Sequence, residues 1–316
     1  MLRGMAGNRS LTVVIAAYNE EAALPEMHRR LSAVLDGLDA GSRVLYVDDG
    51  SRDGTWGVLQ RLAEADPRVS LLRLARNFGK ELALTAGLDH VDTDAALVLD
   101  ADGQDPPELI PAFVAKWREG FDVVYGTRTR RDGETWLKRL TAAGFYRVMT
   151  RLSDTPIPRD TGDFRLMSRP VLDALRQLRE RQRFMKGLFT WVGFRQVSLP
   201  YERAPRLAGG SKFNYWRLWN LALEGITSFS TVPLRLATYV GVLTALVAFA
   251  WGVWIVARTL LWGDPVQGWP SLMTVVLFLG GVQLVALGII GEYLGRLYVE
   301  VKQRPLYLVS EARLPR

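Results

Sequence analysis

Two aspartates one residue apart close an apolar run in this chain, Ala95-Ala96-Leu97-Val98-Leu99-Asp100-Ala101-Asp102-Gly103-Gln104. A short apolar run bounded by polar residues predicts a buried strand. Alternate residues of an extended segment point the same way, so Asp100 and Asp102 converge beyond its end. Converging carboxylates repel unless positive charge stands between them. A divalent cation with oxygen ligands supplies that charge, and Gln104 offers a neutral third oxygen. The plain structural alternative is an acidic turn, since aspartate readily bonds its own backbone.

Alternating elements must position these groups. Leu11–Ala17 predicts a strand ending at Tyr18-Asn19-Glu20-Glu21. A helix follows, with Pro25 in its first turn and Leu31, Val34, Leu35 and Leu38 on one face. Val44–Val47 predicts a second strand, ending at Asp48-Asp49-Gly50-Ser51, and Asp53-Gly54-Thr55 opens the next helix. Val69–Leu74 predicts a third strand, then Arg76-Asn77-Phe78-Gly79-Lys80 and a helix to Asp89. Ala95–Leu99 is the fourth. Pro106-Pro107 starts a helix to Arg118, and Asp122–Tyr125 predicts a fifth strand ending at Gly126-Thr127-Arg128. Strands alternating with helices imply a parallel sheet covered on both faces. Ligands of such sheets bind beyond the carboxyl ends of the strands, where the polar clusters fall. There is no G-x-G-x-x-G after the first strand and no G-x-x-x-x-G-K-[ST]. Neither a dinucleotide fold nor a phosphate loop is signalled. An acidic site where a nucleotide would enter points instead to metal-mediated phosphate binding.

Composition narrows the function further. The 316 residues include no cysteine, which excludes disulfides and thiol chemistry. The two histidines, His28 and His90, fall in predicted helices without a second ligand at zinc spacing. A net charge of +7 suggests phosphates, nucleic acid or an anionic membrane surface as partners. Residues 1–10 lack an apolar core of signal-peptide length. Trp136–Leu152 predicts an amphipathic helix with Lys138, Arg139, Arg147 and Arg151, suited to lipid headgroups. Thr161–Met167 reads as extended and carries Asp163. Arg181–Phe194, basic and aromatic, suits a helix near the membrane interface, and Phe213–Ser230, with Trp216 and Trp219, an interfacial helix. The loop Tyr201–Lys212 is rich in glycine and basic residues. It reads as a linker or as a flap closing over phosphates through Arg203 and Lys212.

Leu236–Ala257 and Ser271–Gly291 carry no charge. Each supplies roughly 20 residues, about 30 Å of helix, enough to cross a bilayer core. Trp262 and Trp269 take belt positions in the connector, and Arg235, Arg296, Lys302, Arg304 and Arg313 flank the outer ends, with Arg258 the exception. The positive-inside rule then places both termini in the cytoplasm. Basic residues interleaved with aromatics near these spans favour lipid headgroups over nucleic acid.

Together the motifs resemble the family 2 glycosyltransferases of GT-A fold, in particular the polyprenyl-phosphate glycosyltransferases. The matching stretches are Val14–Glu21, Val47–Thr55, Arg76–Lys80, Asp100–Glu108, Thr161–Leu166, Gly210-Ser211-Lys212 and Lys302–Tyr307. They span nearly the whole chain. Gly103 departs from the leucine usual in relatives. The resemblance implies a mostly parallel α/β sheet of GT-A type with flanking helices, interfacial amphipathic helices and a two-helix transmembrane hairpin. It divides the chain into a catalytic domain 1–212, an interfacial helix 213–232, a hairpin 233–295 and a C-terminal extension 296–316. It implies a metal-dependent hexosyltransferase of the inner membrane, catalytic domain in the cytoplasm, moving a sugar from a UDP-sugar to undecaprenyl phosphate with inversion. Glucose is the first expectation.

Site roles follow the matched positions. Tyr18, Asn19, Glu20, Asp48, Asp49, Ser51, Lys80, Asp100 and Ala101 would hold the nucleotide sugar. Asp100, Asp102 and Gln104 would bind Mg2+ or Mn2+ at the donor diphosphate. Arg203 and Lys212 would stabilise that leaving group, and Arg128 with Lys138 or Arg139 would hold the lipid phosphate. Asp163 would position the acceptor or sugar. A homo-oligomer is expected, with the strand-like Leu306–Val309 pairing between subunits. The alternatives are a processive polysaccharide synthase, which should carry Gln-x-x-Arg-Trp where Gln182-Arg183-Phe184 stands, and an inert membrane scaffold.

Overall fold

The computed structural model describes residues 10–38, 41–129, 161–181, 183, 185–203, 232–262 and 268–314. In chain order the elements are β1 (Leu11–Ala17), α1 (Leu24–Asp36), β2 (Ser42–Asp48), α2 (Thr55–Ala65), β3 (Val69–Leu74), α3 (Lys80–Asp89) and β4 (Ala95–Asp100). A 3-10 turn (Pro107–Leu109) leads into α4 (Ile110–Arg118) and β5 (Val123–Arg128). Then come β6 (Thr161–Ser168), α5 (Arg169–Gln177), α6 (Met185–Trp191), β7 (Gln196–Tyr201), α7 (Val232–Trp262), α8 (Trp269–Val301) and β8 (Val309–Arg313).

The strands form one eight-stranded sheet in the order β7-β5-β6-β4-β1-β2-β3-β8. Its centre is parallel: β1 pairs with β2 and β4, and β2 with β3. The β1 run is apolar on both faces because both are covered. Val13 and Ile15 enter one core layer with Leu24, Met27 and Phe113; Val14 enters the other with Leu84 and Leu172. Register levels the strand ends, with Ala17 opposite Asp48 and Ala16 opposite Asp100. The chain departs from β1 in both directions, toward β2 and toward β4, so the crevice at their carboxyl ends is a topological switch point.

The strand β6 runs antiparallel between β4 and β5. Its last registered pair with β4 is Val98–Arg165. Two residues further along each strand stand Asp100 and Asp163, so the antiparallel insertion carries a third carboxylate to the site.

Gly50 makes the β2 turn possible. Its φ is +65°, and a Cβ there would lie 2.5 Å from the Arg76 carbonyl carbon. Gly50→Ala combines left-handed strain with a backbone clash, a loss of about 2–4 kcal/mol. The melting temperature should fall by about 5–10 °C; an unchanged melt would mean that the two turns separate freely.

Several expectations shift. β2 begins at Ser42 and β5 runs to Arg128, because their partners β1 and β7 continue the ladders. β7 itself was not anticipated. The segment expected at the membrane interface contains α6, whose Met185, Leu188 and Phe189 are buried in the core layer holding Leu84. The tail strand is Val309–Arg313 rather than Leu306–Val309, and it pairs antiparallel with β3 of the same chain. Ala75 N–H donates to the Leu308 carbonyl at 2.8 Å, and Arg73 meets Glu311 at 3.1 Å. The tail strand therefore covers the β3 edge of the sheet.

The charge-free runs lie inside longer helices, α7 and α8, with 31 and 33 residues. Both are apolar and long enough to cross a membrane, with mean hydropathy 2.2. Leu243, Phe249, Leu284 and Leu287 are exposed along them. Helices apolar all round and uncovered by protein suit lipid. The predicted helices Trp136–Leu152 and Phe213–Ser230 lie outside the described residues.

Candidate active site

A cavity of about 500 Å³ opens at the carboxyl ends of β1 and β4. Of the sequence-derived site residues, Tyr18, Glu20, Asp49, Lys80, Asp100, Ala101, Asp102, Arg128, Asp163 and Arg203 line it. Asn19, Asp48, Ser51 and Gln104 do not. Lys138, Arg139 and Lys212 lie outside the described residues.

Asn19 and Ser51 build the walls instead. Asn19 has φ +55°, which its short polar side chain tolerates. Its N–H donates to Ser51 Oγ at 3.0 Å, and its side-chain oxygen accepts the Arg52 N–H at 2.9 Å. These bonds lock the β1 turn to the β2 turn. The adjacent carboxylates Asp48 and Asp49 diverge, as neighbours at a strand end do. Asp48 is fully buried, accepts the Ser51 N–H at 3.1 Å and lies 3.3 Å from Arg73 Nε. Asp49 borders the cavity and accepts the Phe78 and Gly79 N–H groups at 2.7 and 2.9 Å. Burial raises its pKa despite those two donors.

Lys80 stands at the centre. Its Nζ lies 2.6 Å from Asp100 and 2.5 Å from Asp163. Burial opposes the ammonium charge, but the two carboxylates outweigh it and raise the Lys80 pKa. Burial likewise works against the Asp163 anion, and Lys80 and Lys186 more than compensate, holding its pKa below the usual range. Beneath Asp163, Arg165 donates to the Gly162 carbonyl at 3.1 Å and rests 3.9 Å from the centre of the Phe189 ring. Burial lowers its pKa to about 10, which leaves it a cation at neutral pH.

Four contributors escaped sequence reasoning. Lys186, on α6, lines the cavity, inside the segment expected at the membrane interface. Asp105 is fully buried and accepts the Tyr201 hydroxyl at 2.5 Å. Burial and the nearby Asp100 push its pKa up to about 6. Tyr201 ends β7 and sits over Gly126, where a Cβ would come within 2.6 Å of its ring. Asp105 stood in the acidic stretch, but its partner belongs to a strand without a sequence signal. Glu81, also a lining residue, accepts the Met185 N–H at 3.2 Å.

Burial, then Asp163, raises the Glu81 pKa from 4.5 to about 7. A raised carboxyl pKa means that the folded chain binds the extra proton. Stability from this group is therefore full below pH 4.5 and falls as pH rises to about 7. Glu81→Gln, which keeps the acceptor, should melt higher than the native protein at about pH 8 and equal it near pH 4.5. A gain that is the same at both pH values would assign the effect to packing.

Among the described residues no three His, Cys, Asp or Glu side chains form a metal cluster. Magnesium-type sites need less, since one or two carboxylates are completed by substrate phosphates. Asp100 and Asp102 provide that donor set. The Lys80 ammonium against Asp100 is already a stand-in for positive charge at that position. The residues fit a hard divalent ion.

The sheet, mostly parallel with carboxylates at its switch point and followed by two long apolar helices, is of the GT-A type. The family model for Glycosyl transferase family 2 matches residues 12–176, and that for the GtrB C-terminal hairpin matches residues 232–297. The chain belongs to glycosyl transferase family 2. It is 51% identical over 301 residues to an uncharacterized glycosyltransferase of Synechocystis sp., covering 95% of each chain. It is 46% identical to the SfII prophage-derived bactoprenol glucosyl transferase of Shigella flexneri, over 96% of this chain and 98% of that one. A prophage bactoprenol glucosyl transferase homolog of Escherichia coli is 45% identical over 96% and 99% of the two chains. Among solved structures, a mannosyltransferase of Pyrobaculum calidifontis in complex with GDP-Man and Mn2+ is similar at 18% identity and TM-score 0.48, covering 89% of this chain and 88% of that one.

Proposed function

We propose that this glycosyltransferase moves a glucosyl unit from a UDP-sugar to undecaprenyl phosphate at the cytoplasmic face of the inner membrane, inverting the anomeric centre. The relatives named bactoprenol glucosyl transferase, alike over nearly the full length, support the acceptor and the sugar. The observation that carries the reading is that one cavity gathers two carboxylates, Asp100 and Asp102, together with three cations, Arg128, Lys186 and Arg203.

Each set has a task. Asp100 and Asp102 would hold Mg2+ or Mn2+, which supplies positive charge where the donor diphosphate binds. Tyr18, Glu20 and Asp49 border the space for the nucleoside. Arg203, joined by Lys212, stabilises the charge gathering on the diphosphate as the anomeric carbon–oxygen bond breaks. Arg128 and Lys186, with Lys138 or Arg139, hold the acceptor phosphate. One of its oxygens forms the new bond, and UDP carries away the electron pair. A phosphate monoester has its second pKa near ~6, so the nucleophile is ionised at neutral pH and needs no strong base. Asp163, with its lowered pKa and its bond to Lys80, is a poor base and a good positioning group.

The hairpin keeps the cavity beside an acceptor that never leaves the bilayer, which makes encounter nearly intramolecular. Cutting the chain at residue 232 would also remove β8, so a cleaner variant replaces residues 232–301 with a flexible linker. It should lose about 10²-fold of its rate on membrane-embedded acceptor and keep its rate on a short-chain, water-soluble one. Equal rates on both would mean that the hairpin serves something other than encounter.

The direct test presents labelled UDP- and GDP-sugars to undecaprenyl phosphate in membranes. One chloroform-soluble product, formed from UDP-glucose, is expected. A long polymer, or no lipid product from any donor, would overturn the reading.

A further inference from the structure

A second cavity, of about 250 Å³, lies where the end of α8 meets the catalytic domain. Four cations line it: Arg76, Arg181, Lys302 and Arg304. Arg181 is balanced by Glu300, at 3.2 Å, and that carboxylate also takes the Arg181 N–H at 2.9 Å. Glu180 is the other carboxyl close to Glu300. Arg76, Lys302 and Arg304 have no carboxylate within ion-pair distance among the described residues. Two of them are held over aromatic rings that also line the cavity. Arg76 lies 4.3 Å from the centre of Phe78, and Lys302 lies 4.1 Å from that of Tyr298. Ring stacking fixes where these charges sit; among the described residues Lys302 has no paired carboxylate, and Arg76 is attracted only at longer range by Asp49. In addition, Arg181 Nε is buried without a hydrogen-bond partner. Lys302 and Arg304, with no paired carboxylate among the described residues, and Arg76, offset only in part by Asp49, repel one another around one concavity, and a bound anion relieves that repulsion.

Position narrows the class of anion. The charge-free run of α8 ends at Gly291, and Tyr298 lies seven residues beyond it. At 1.5 Å per residue that is about 10 Å, just past an interfacial layer about 5–8 Å deep. Long Lys and Arg side chains reach back across such a distance. The cavity is distinct from the donor site, although the two share a wall. Arg76 and Phe78 face this cavity, while Asn77 and Gly79, next to them in the chain, line the other.

We propose that this cavity binds the phosphate of an anionic ester at the membrane surface, either a phospholipid headgroup or a soluble phosphate, separately from donor and acceptor. The placement rests on α8 crossing the membrane. The test separates that premise from the site: full-length protein in neutral detergent is titrated with short-chain phosphatidylglycerol, short-chain phosphatidylcholine and inorganic phosphate, and bound molecules are counted by native mass spectrometry. Phosphatidylcholine reports apolar association alone. Phosphatidylglycerol should bind more tightly, and K302Q/R304Q should weaken it about 10-fold without moving phosphatidylcholine. Both residues are exposed, so the fold should survive, and the charge-conserving K302R/R304K should bind as the native chain does. Competition by inorganic phosphate at similar concentrations would assign a soluble ester as the source; its failure to compete would assign the headgroup. Equal binding of the two lipids together with no phosphate binding, or affinity unchanged in K302Q/R304Q, would overturn the proposal.

Discussion

Asp102→Ala is expected to lower sugar transfer to polyprenyl phosphate by about 10³-fold while leaving the chain folded and membrane-bound. Asp102 lies in the turn after β4 and lines the cavity, half-buried. Its carboxylate accepts the Gln104 N–H at 3.1 Å, a bond whose loss costs about 1 kcal/mol. The structural effect is therefore small and the chemical one large, because the variant removes one of the two carboxylates proposed to hold the ion at the diphosphate. Asp102→Asn separates the two effects, since it keeps an acceptor for the turn and loses the charge. Chelation with EDTA should reduce the native enzyme to a similar level and add little to Asp102→Ala. If Asp102→Ala kept about a tenth of the native rate, or EDTA left the native rate intact, the metal role of this pair would be lost.

Lys80→Met is the second large effect, expected as a loss of about 10²-fold in rate with a lower melting temperature in metal-free buffer. One ammonium serves two carboxylates, at 2.6 and 2.5 Å. Without it Asp100 and Asp163 lose the cation they share, and Lys186, Arg165 and Arg128 with partial solvent access offset only part of the repulsion. Divalent ion plus UDP brings positive charge back to Asp100. The melting temperature of the variant should therefore rise more on adding them than that of the native chain. A variant that melts and turns over like the native protein would show that Lys80 is a bystander, and a loss of rate with an unchanged melt would confine it to substrate binding.

Local order explains what was legible. Leu11–Ala17, Val69–Leu74 and Ala95–Leu99 are continuous apolar runs, and such runs declare buried parallel strands without knowledge of their neighbours. The polar residues following each run had to lie at the carboxyl ends of those strands. Tyr18, Glu20, Asp100 and Asp102 could therefore be nominated from position, and Asp49 likewise after Val44–Val47, whereas Arg203 was nominated from its basic, glycine-rich loop. The charge-free runs of the hairpin were equally plain, because a long apolar helix has few other environments.

The failures were long-range. Lys186 looked like one more basic residue in an amphipathic stretch, and only the packing of Met185, Leu188 and Phe189 into the sheet's core turns it toward the cavity. The pairing of the tail strand with β3 likewise depends on where α8 delivers the chain.

By itself, then, the sequence determined the alternation of strand and helix, the acidic turn Asp100–Asp102 and the membrane-length hairpin, since each follows from residues close together in the chain. Only the tertiary structure decided which groups meet. Lys80 finds Asp163 across 83 residues, and Asp105 finds Tyr201 across 96. Register and strand order set those encounters. The antiparallel β6 brings Asp163 level with Asp100, and β7 beside β5 carries Tyr201 over Gly126. Strand order comes from the burial of two whole core layers at once, a property that no single stretch of chain possesses.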